Sequence, residues 1–287
     1  MPHLSELQKR HADDGVTIIA VTKEDKNNSI EQVRKMTADK GDTMGYTVAF
    51  DDAGKTYADY MTASGQRGIP TAFLVDKTGK IAYIGHPSNM DIPMARVANG
   101  TWDPVKGPED MQAMSAMRNK IASGARSVNA ESAPKLLGML DEFSERWPEV
   151  ADSLNSIKYP ILMAAGKHAE AGVLGRELVQ TAIHNKDAGT LNQIAWGIVD
   201  PDVKSEHRDV SLALWAAEVA ANLSEHKDAA ILDTLARAHF WIGGLERAIQ
   251  IQEQAVELTA TDKRYASMAA GIEAALKEYR EALAARK

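Results

Sequence analysis

Thiol chemistry is the first possibility to test in this sequence, and it fails at once because none of the 287 residues is a cysteine. Without thiols these residues can form no disulfide, no thiolate metal site and no cysteine nucleophile. The count says nothing about the compartment, since proteins without thiols are tolerated in oxidising and reducing surroundings alike. We therefore predict no cysteine chemistry and leave the localisation unknown.

Histidine is the next candidate for metal binding or proton transfer, and the sequence has eight. They are His3, His11, His86, His168, His184, His207, His226 and His239. None forms a His-x-x-x-His pair or a zincin motif. The sequence therefore predicts no metal site. We expect His86 in a turn and His239 in a packed core.

Two acidic pairs, Asp13-Asp14 and Asp51-Asp52, raise the possibility of acid–base catalysis. A catalytic pair needs two carboxyls in one cleft, whereas these pairs stand where aspartates cap helices and stabilise turns. No nucleotide-binding glycine motif and no Gly-x-Ser-x-Gly motif is present. We predict no catalytic residue and no cofactor.

Charge and hydropathy exclude two further classes of function. Lys and Arg number 33 against 40 Asp and Glu, a net charge of −7, and no basic stripe favours nucleic-acid binding. No apolar run approaches the roughly 18–20 residues of a membrane helix. The first seven residues lack the pattern of a signal peptide.

Pro70 is the residue most suggestive of a special backbone site. It follows Gly68 and Ile69 and stands before Thr71, at the mouth of an apolar run. Proline cannot donate to a ladder, so it fits a strand start, an edge or a bulge. An Xaa-Pro bond at such a place is also a candidate for the cis isomer. An ordinary strand-entry proline is the alternative.

A β-hairpin is predicted directly after Pro70. Residues 71–75 and 80–84 are apolar and rich in β-branched and aromatic side chains, and a four-residue turn ending in Gly79 joins them. Residues 16–21 form a continuous β-branched run, which is typical of a strand buried on both faces of a parallel sheet. A further short strand is predicted at 46–50, and helices at 4–11, 30–40, 55–62 and 90–98.

This order of elements, with Gly-Ile-Pro-Thr before the hairpin, resembles the redoxin and TlpA-type thiol-disulfide reductases of the thioredoxin fold. The resemblance implies that Gly68, Ile69, Pro70 and Thr71, here called the proline loop, form a substrate-docking edge that pairs with an extended peptide. It also implies a Cys-x-x-Cys turn just before the first helix. That segment would lie before Met1, so the catalytic pair has no position in this sequence.

The resemblance further implies a central strand between residues 16–21 and 71–75. Without it, two inner strand edges would expose unpaired N–H and C=O groups. We expect this half to be rearranged, completed by another chain, or less stable than the rest. An oligomer formed through unpaired sheet edges is one form of completion.

Residues 99–108 contain two glycines and two prolines and are predicted as a linker. Nine helices are predicted beyond it, with no strand. They are expected at about 109–122, 131–146, 151–165, 168–184, 188–199, 208–223, 228–242, 245–259 and 263–284.

The helical half shows signs of internal repetition. Ala213 and Ala220 align with Ala248 and Ala255 at an offset of 35 residues, with a longer loop expected at 200–207. Small residues at these places let paired helices approach closely, which resembles a tetratricopeptide repeat (TPR). Gln252 departs from that pattern, because an aromatic residue is common there.

The predicted fold is an N-terminally incomplete α/β thioredoxin-like domain at 1–98, the linker at 99–108, and an all-α TPR-like domain at 109–287. The predicted function is that of a redoxin-family protein, redox-inactive as this cysteine-free chain because its active-site segment is missing through truncation or a misplaced start. Its helical domain would bind protein or peptide partners. The alternative is a non-enzymatic TPR scaffold.

Overall fold

The computed structural model describes residues 2–26, 28–202 and 207–286. Most of the predicted 200–207 loop, residues 203–206, lies outside the described residues. The chain divides into two compact units. The sheet unit comprises Met1–Lys120 and Asp141–Ser153, and the helical unit comprises Ile121–Leu140 and Leu154–Lys287. Residues 107–120 and 141–153 thus group with the sheet, although the predicted boundary had placed nearly all of them with the helices.

The sheet unit alternates helices and strands in the order predicted for its first 98 residues. Its elements are α1 (Pro2–Arg10), β1 (Ile19–Lys23), α2 (Ile30–Lys40), β2 (Thr47–Asp51), a π-helical segment (Tyr57–Thr62), β3 (Ala72–Val75), β4 (Ile81–Gly85) and α3 (Asp91–Ala98). Helix α4 (Gly107–Ala125) begins in this unit, inside the predicted linker, and α5 (Ala133–Arg146) ends in it.

The strands form two separate two-stranded sheets among the described residues. Strand β1 pairs in parallel with β2, from Ile19 opposite Thr47 to Lys23 opposite Asp51. Strand β3 pairs with β4 in an antiparallel hairpin that begins with Ala72 opposite Gly85. No ladder joins β1 to β3 in the described part of the chain.

Local sequence signals account for the bounds of α2 and of the hairpin. The Ser29 side chain accepts a hydrogen bond from Gln32 N while the Gln32 side chain accepts one from Ser29 N, and this capping box starts α2. In the hairpin turn, Asp76 Oδ1 accepts hydrogen bonds from Thr78 N at 2.8 Å and from Lys80 N at 3.1 Å. Gly79 closes the turn at a φ of +82°, a conformation that favours glycine.

One small core holds both sheets. Its buried residues are Leu7 on α1, Leu74 on β3, Met90 and Met94. The partly buried residues packed against them are Leu4, Val16, Ile18, Ala72, Tyr83 and Val97. The residues that lead into β1 and those of β3 therefore lie on the same apolar cluster although no ladder connects their strands.

The prediction for residues 16–21 was wrong in its bounds and in its burial. The strand begins at Ile19, where the side chain is 56% exposed, and Val21 is 48% exposed. A strand of a parallel sheet is buried on both faces only when neighbours and helices cover it, and β1 has a single neighbouring strand. The Gln8 side-chain amide, rather than a strand, donates to Val16 O at 2.8 Å and accepts from Ile18 N at 2.5 Å.

The helical unit follows the predicted helices closely. Its complete helices are α6 (Asn155–Ala164), α7 (His168–His184), α8 (Ala188–Val199), α9 (Val210–Leu223), α10 (Ala229–Trp241), α11 (Leu245–Thr261) and α12 (Ala269–Ala284). The last predicted helix starts later than expected, because Asp262 caps a separate 3-10 turn at Lys263–Tyr265. A fully packed core runs from α7 to α12.

Small residues line the contacts between these helices, as the repeat alignment requires. Ala213, Ala220, Ala248 and Ala255 are all completely buried. From α8 onward each helix packs against the next one along the chain, and α8 also packs against α10. This pattern, in which each pair stacks on the following pair, is that of a short helical array.

Candidate functional site

The proline loop lies on the surface and leads directly into β3. Ile69 is 82% exposed, and the hydroxyl of Thr71 donates to Gly68 O at 2.6 Å. The Ile69–Pro70 peptide bond is cis. An exposed loop at a strand entrance leaves its backbone accessible to another chain.

The hairpin that carries this loop is held rigidly at its far end. The side-chain hydrogen bond from Thr78 and the backbone N–H groups of Lys80 and Thr78 hold the pKa of Asp76 below its ordinary value. On the other side of β3, the rings of Tyr60 and Phe73 meet edge to face with centroids 5.2 Å apart. Residues at both ends of the strand thus fix its position.

The outer edge of the hairpin is covered. Trp102 Nε1 donates to the backbone oxygen of Ala82 on β4 at 2.9 Å, and the Trp102 ring packs edge to face on Tyr83 at 5.6 Å. Covering an edge strand with a side chain or loop is a common protection against unwanted pairing. The inner edge, on β3, has no strand neighbour among the described residues.

The edge of β1 that faces away from β2 is open in the same way. Thr47 N donates to Ile18 O at 3.2 Å, so Ile18 directs its backbone towards β2. Successive residues of a strand direct their N–H and C=O groups to opposite sides. The backbone groups of Ile19 and Val21 therefore point away from β2, towards a side where the described residues place no strand.

Few charges lie along these two edges. Strand β3 carries no ionisable side chain, and the only one on β1 is Lys23 at its end. The ammonium of Lys23 lies over the ring of Tyr57, 4.1 Å from the centroid. The two open edges are consequently neutral and apolar.

The other predicted candidates have structural positions. His86 caps the short turn Pro87–Asn89, with its Nδ1 2.7 Å from Ser88 Oγ, which confirms the turn predicted there. Asp51 Oδ1 accepts from Lys55 N at 3.0 Å, as expected of an aspartate at a turn. His239 is partly buried at the end of α10, and burial lowers its pKa.

Searches for metal sites and membrane helices return nothing from the described parts of the chain. No group of three or more His, Cys, Asp or Glu side chains there could hold a metal ion. No helix in the same residues is long and apolar enough to cross a membrane.

An ion cluster in the sheet unit escaped sequence reasoning. Arg96 on α3 donates from Nε to Glu149 Oε1 at 2.7 Å and from Nη1 to Asp110 Oδ2 at 2.8 Å. Partial burial raises the pKa of Asp110, but hydrogen bonds from Trp147, Arg96 and Arg146 outweigh it and leave the pKa below its ordinary value. The partners are separated by 14 to 53 residues, so no local pattern could have revealed them.

A buried polar group in the helical unit was also missed. Gln252, fully buried on α11, donates from Nε2 to Asp233 Oδ1 at 2.5 Å and to Ile272 O at 3.0 Å. Burial raises the pKa of Asp233, and the bond from Gln252 offsets this in part. The sequence signal was Gln252 itself, the polar residue at an aromatic position of the repeat.

Comparison with known families bears on the region that contains the proline loop and both sheets. Residues 1–84 match the model of the AhpC/TSA family, a redoxin family of the thioredoxin fold. No curated protein and no solved structure matches the chain. The N-terminal region is therefore thioredoxin-like, and it is followed by a mostly helical region.

Proposed function

We propose that this chain is a redoxin-related binding protein that holds extended polypeptide at the proline loop and the edge of β3. In this proposal the helical unit is TPR-like and recruits protein partners. The observation that carries it is an open, neutral strand edge beside Pro70, inside the region that matches a redoxin family and in a sequence with no cysteine.

Thiol chemistry is excluded from the function of these residues on chemical grounds. Reduction of a disulfide begins when a thiolate attacks one sulfur and forms a mixed disulfide. None of the 287 residues can supply that thiolate or the two electrons that follow. The recognition part of a redoxin can still operate, because backbone pairing along a strand edge needs only N–H and C=O groups.

The TPR-like role of the helical unit is supported by its packing. The aligned alanines at 213, 220, 248 and 255 are completely buried, and successive helix pairs stack on each other. Stacked helix pairs build extended surfaces that suit protein ligands. A non-enzymatic scaffold that binds partners through the helices alone is the second candidate, and the same packing favours it.

A redox assay tests the first half of the proposal. Insulin-disulfide reduction and hydrogen peroxide consumption, each driven by dithiothreitol, should proceed at the rate of the protein-free control. Turnover above that control would contradict the proposal, because it would require a redox group that these residues do not contain.

A peptide-binding assay tests the second half. The probe is a fluorescein-labelled peptide with about five valine and isoleucine residues between terminal lysines, followed by fluorescence anisotropy. We expect Ile69→Asp to weaken binding about tenfold or more. The matched control is Val105→Asp, since Val105 is another exposed apolar loop residue of the sheet unit, 78% exposed.

The two candidates give opposite results in this assay. If Ile69→Asp and Val105→Asp bind the peptide equally, and a photo-crosslinking version of the peptide labels the helical unit, the scaffold replaces the edge-binding proposal. Selective loss in Ile69→Asp with labelling at β3 supports edge binding.

A further inference from the structure

We propose that the polypeptide held at β3 inserts as a strand between β3 and β1, and so joins the two sheets into one. The occupant is an extended, uncharged, β-branched segment of about five residues from another polypeptide, matching the length of β1. This inference rests on the proposed function for its β3 contact, and it adds β1 as the second wall of the site.

The first argument is that both open edges belong to one body. Val16 and Ile18, which lead into β1, pack on the same core as Ala72 of β3, around Leu7 of α1. The strands are therefore held beside a common helix, yet each has a single strand neighbour. A two-stranded sheet is marginal alone, and three or more strands with an apolar face are the usual stable unit.

The second argument comes from exposure. Strand β1 belongs to a parallel pair, and parallel pairs are normally buried on both faces. Ile19 and Val21 are instead 56% and 48% exposed, and Val75 at the end of β3 is 42% exposed. An inserted apolar strand would bury part of each of these side chains while its backbone satisfied both edges.

The third argument is the chemistry of the walls. The outer edge of β4 is blocked by Trp102, whereas the edges of β1 and β3 have no such cover. Neither wall offers a free charge, because β3 has none and the Lys23 ammonium is engaged by the Tyr57 ring. A charged segment would lose its hydration there without gaining a partner, so a neutral segment is favoured.

N-methylated versions of the peptide test the two-sided contact. Successive N–H groups of a strand point to opposite sides, so methylating alternate residues blocks pairing with one wall only. One version carries methyl groups on the odd positions and the other on the even positions. If the strand pairs with β1 and β3, both versions should bind about tenfold more weakly or worse.

The outcomes separate this inference from the proposed function. If only one version is weakened, the peptide pairs with a single edge, and the insertion is overturned while edge binding stands. If the unmodified peptide does not bind at all, both are overturned. If the chain instead forms a dimer that protects the Ile19 and Val21 amides and that the peptide does not disrupt, the occupant is a second copy and the proposal is wrong.

A substitution on β1 provides the complementary test. Val21→Asp should weaken peptide binding about tenfold or more, because a carboxylate would be placed beside the apolar strand. The control is Val173→Asp on α7, where the side chain is similarly exposed at 54%. Equal binding by the two variants would overturn the contact with β1. Because Val21 is half exposed, circular dichroism of Val21→Asp should match that of the unsubstituted chain.

Discussion

The two units of this chain bury their apolar residues to very different degrees. In the helical unit, Ala213, Leu232 and Ile251 are between 0% and 2% exposed. In the sheet unit, Ile19 and Val21 are about half exposed although they belong to a parallel pair of strands. Helices that pack on their sequence neighbours complete a core locally, whereas a parallel strand depends on neighbours from distant parts of the chain.

Polar interactions show the same contrast. The sheet unit relies on the cluster of Arg96, Asp110 and Glu149 to tie distant segments together. The helical unit places Asp233 and Gln252 inside an otherwise apolar array. Consequently the pKa of Asp110 is lowered, whereas that of Asp233 is raised. The two units should respond oppositely to acid at these positions.

The largest predicted effect is a cavity in the helical core. Leu232→Ala on α10 should lower the free energy of unfolding by about 3 kcal/mol, because Leu232 is 1% exposed and the array cannot collapse around the gap. Urea denaturation followed by circular dichroism measures this. Val21→Ala on β1 should cost less than about 1 kcal/mol, and equal costs for the two variants would break the comparison.

The next effect concerns the ion cluster of the sheet unit. Arg96→Ala should cost about 2 kcal/mol, since it removes charged hydrogen bonds to two partly buried carboxylates. Arg96→Lys should recover only part of the loss because it cannot replace the planar guanidinium. The matched control is Lys35→Ala, which breaks the exposed Lys35–Asp39 pair and should leave stability unchanged. A loss as small as that of the control would contradict the structural role of the cluster.

The smallest effect is a pH dependence of opposite sign in the two units. The raised pKa of Asp233 stabilises the fold below the unfolded value near 3.8, and this contribution is lost as the pH rises through the folded pKa. The lowered pKa of Asp110 stabilises the fold above 3.8, and this contribution is lost as the pH falls through the folded pKa.

Two amide substitutions check these signs in urea denaturation at pH 7 and at about pH 4. Asp233→Asn removes the cost of a buried charge, so it should raise stability at pH 7, with the gain shrinking at the lower pH. Asp110→Asn should lower stability at pH 7, with the loss also shrinking at the lower pH. A gain from both substitutions, or a loss from both, would remove the electrostatic contrast between the units.

Local signals predicted most of the secondary structure. The capping box at Ser29 and Gln32 gave α2 its observed first residue, and Gly79 with Asp76 marked the hairpin turn. The β-branched run at 16–21 was harder, because its pattern describes a strand with covered faces and says nothing of whether neighbouring strands are present. Its observed position, Ile19–Lys23, is set by the ladder with β2 and by the Gln8 amide.

The candidate site was predictable in part. Pro70 and the hairpin located the open edge of β3 within the sequence. The second edge could not be recognised from types and spacing, since β1 was expected to be buried. Its exposure follows from the lack of any ladder between β1 and β3 in the described residues, and this is a property of the assembled unit.

Hydrogen exchange of single amides, followed by NMR in the free chain, tests the central claim most directly. We expect the amides of Ile19 and Val21 to exchange at nearly the unprotected rate, while those of Leu235 and Ala255 in the helical core exchange slowly. Addition of the apolar peptide should slow the two β1 amides and leave the helical ones unchanged. If Ile19 and Val21 are already as protected as Leu235 in the free monomer, no open edge exists and the account is wrong.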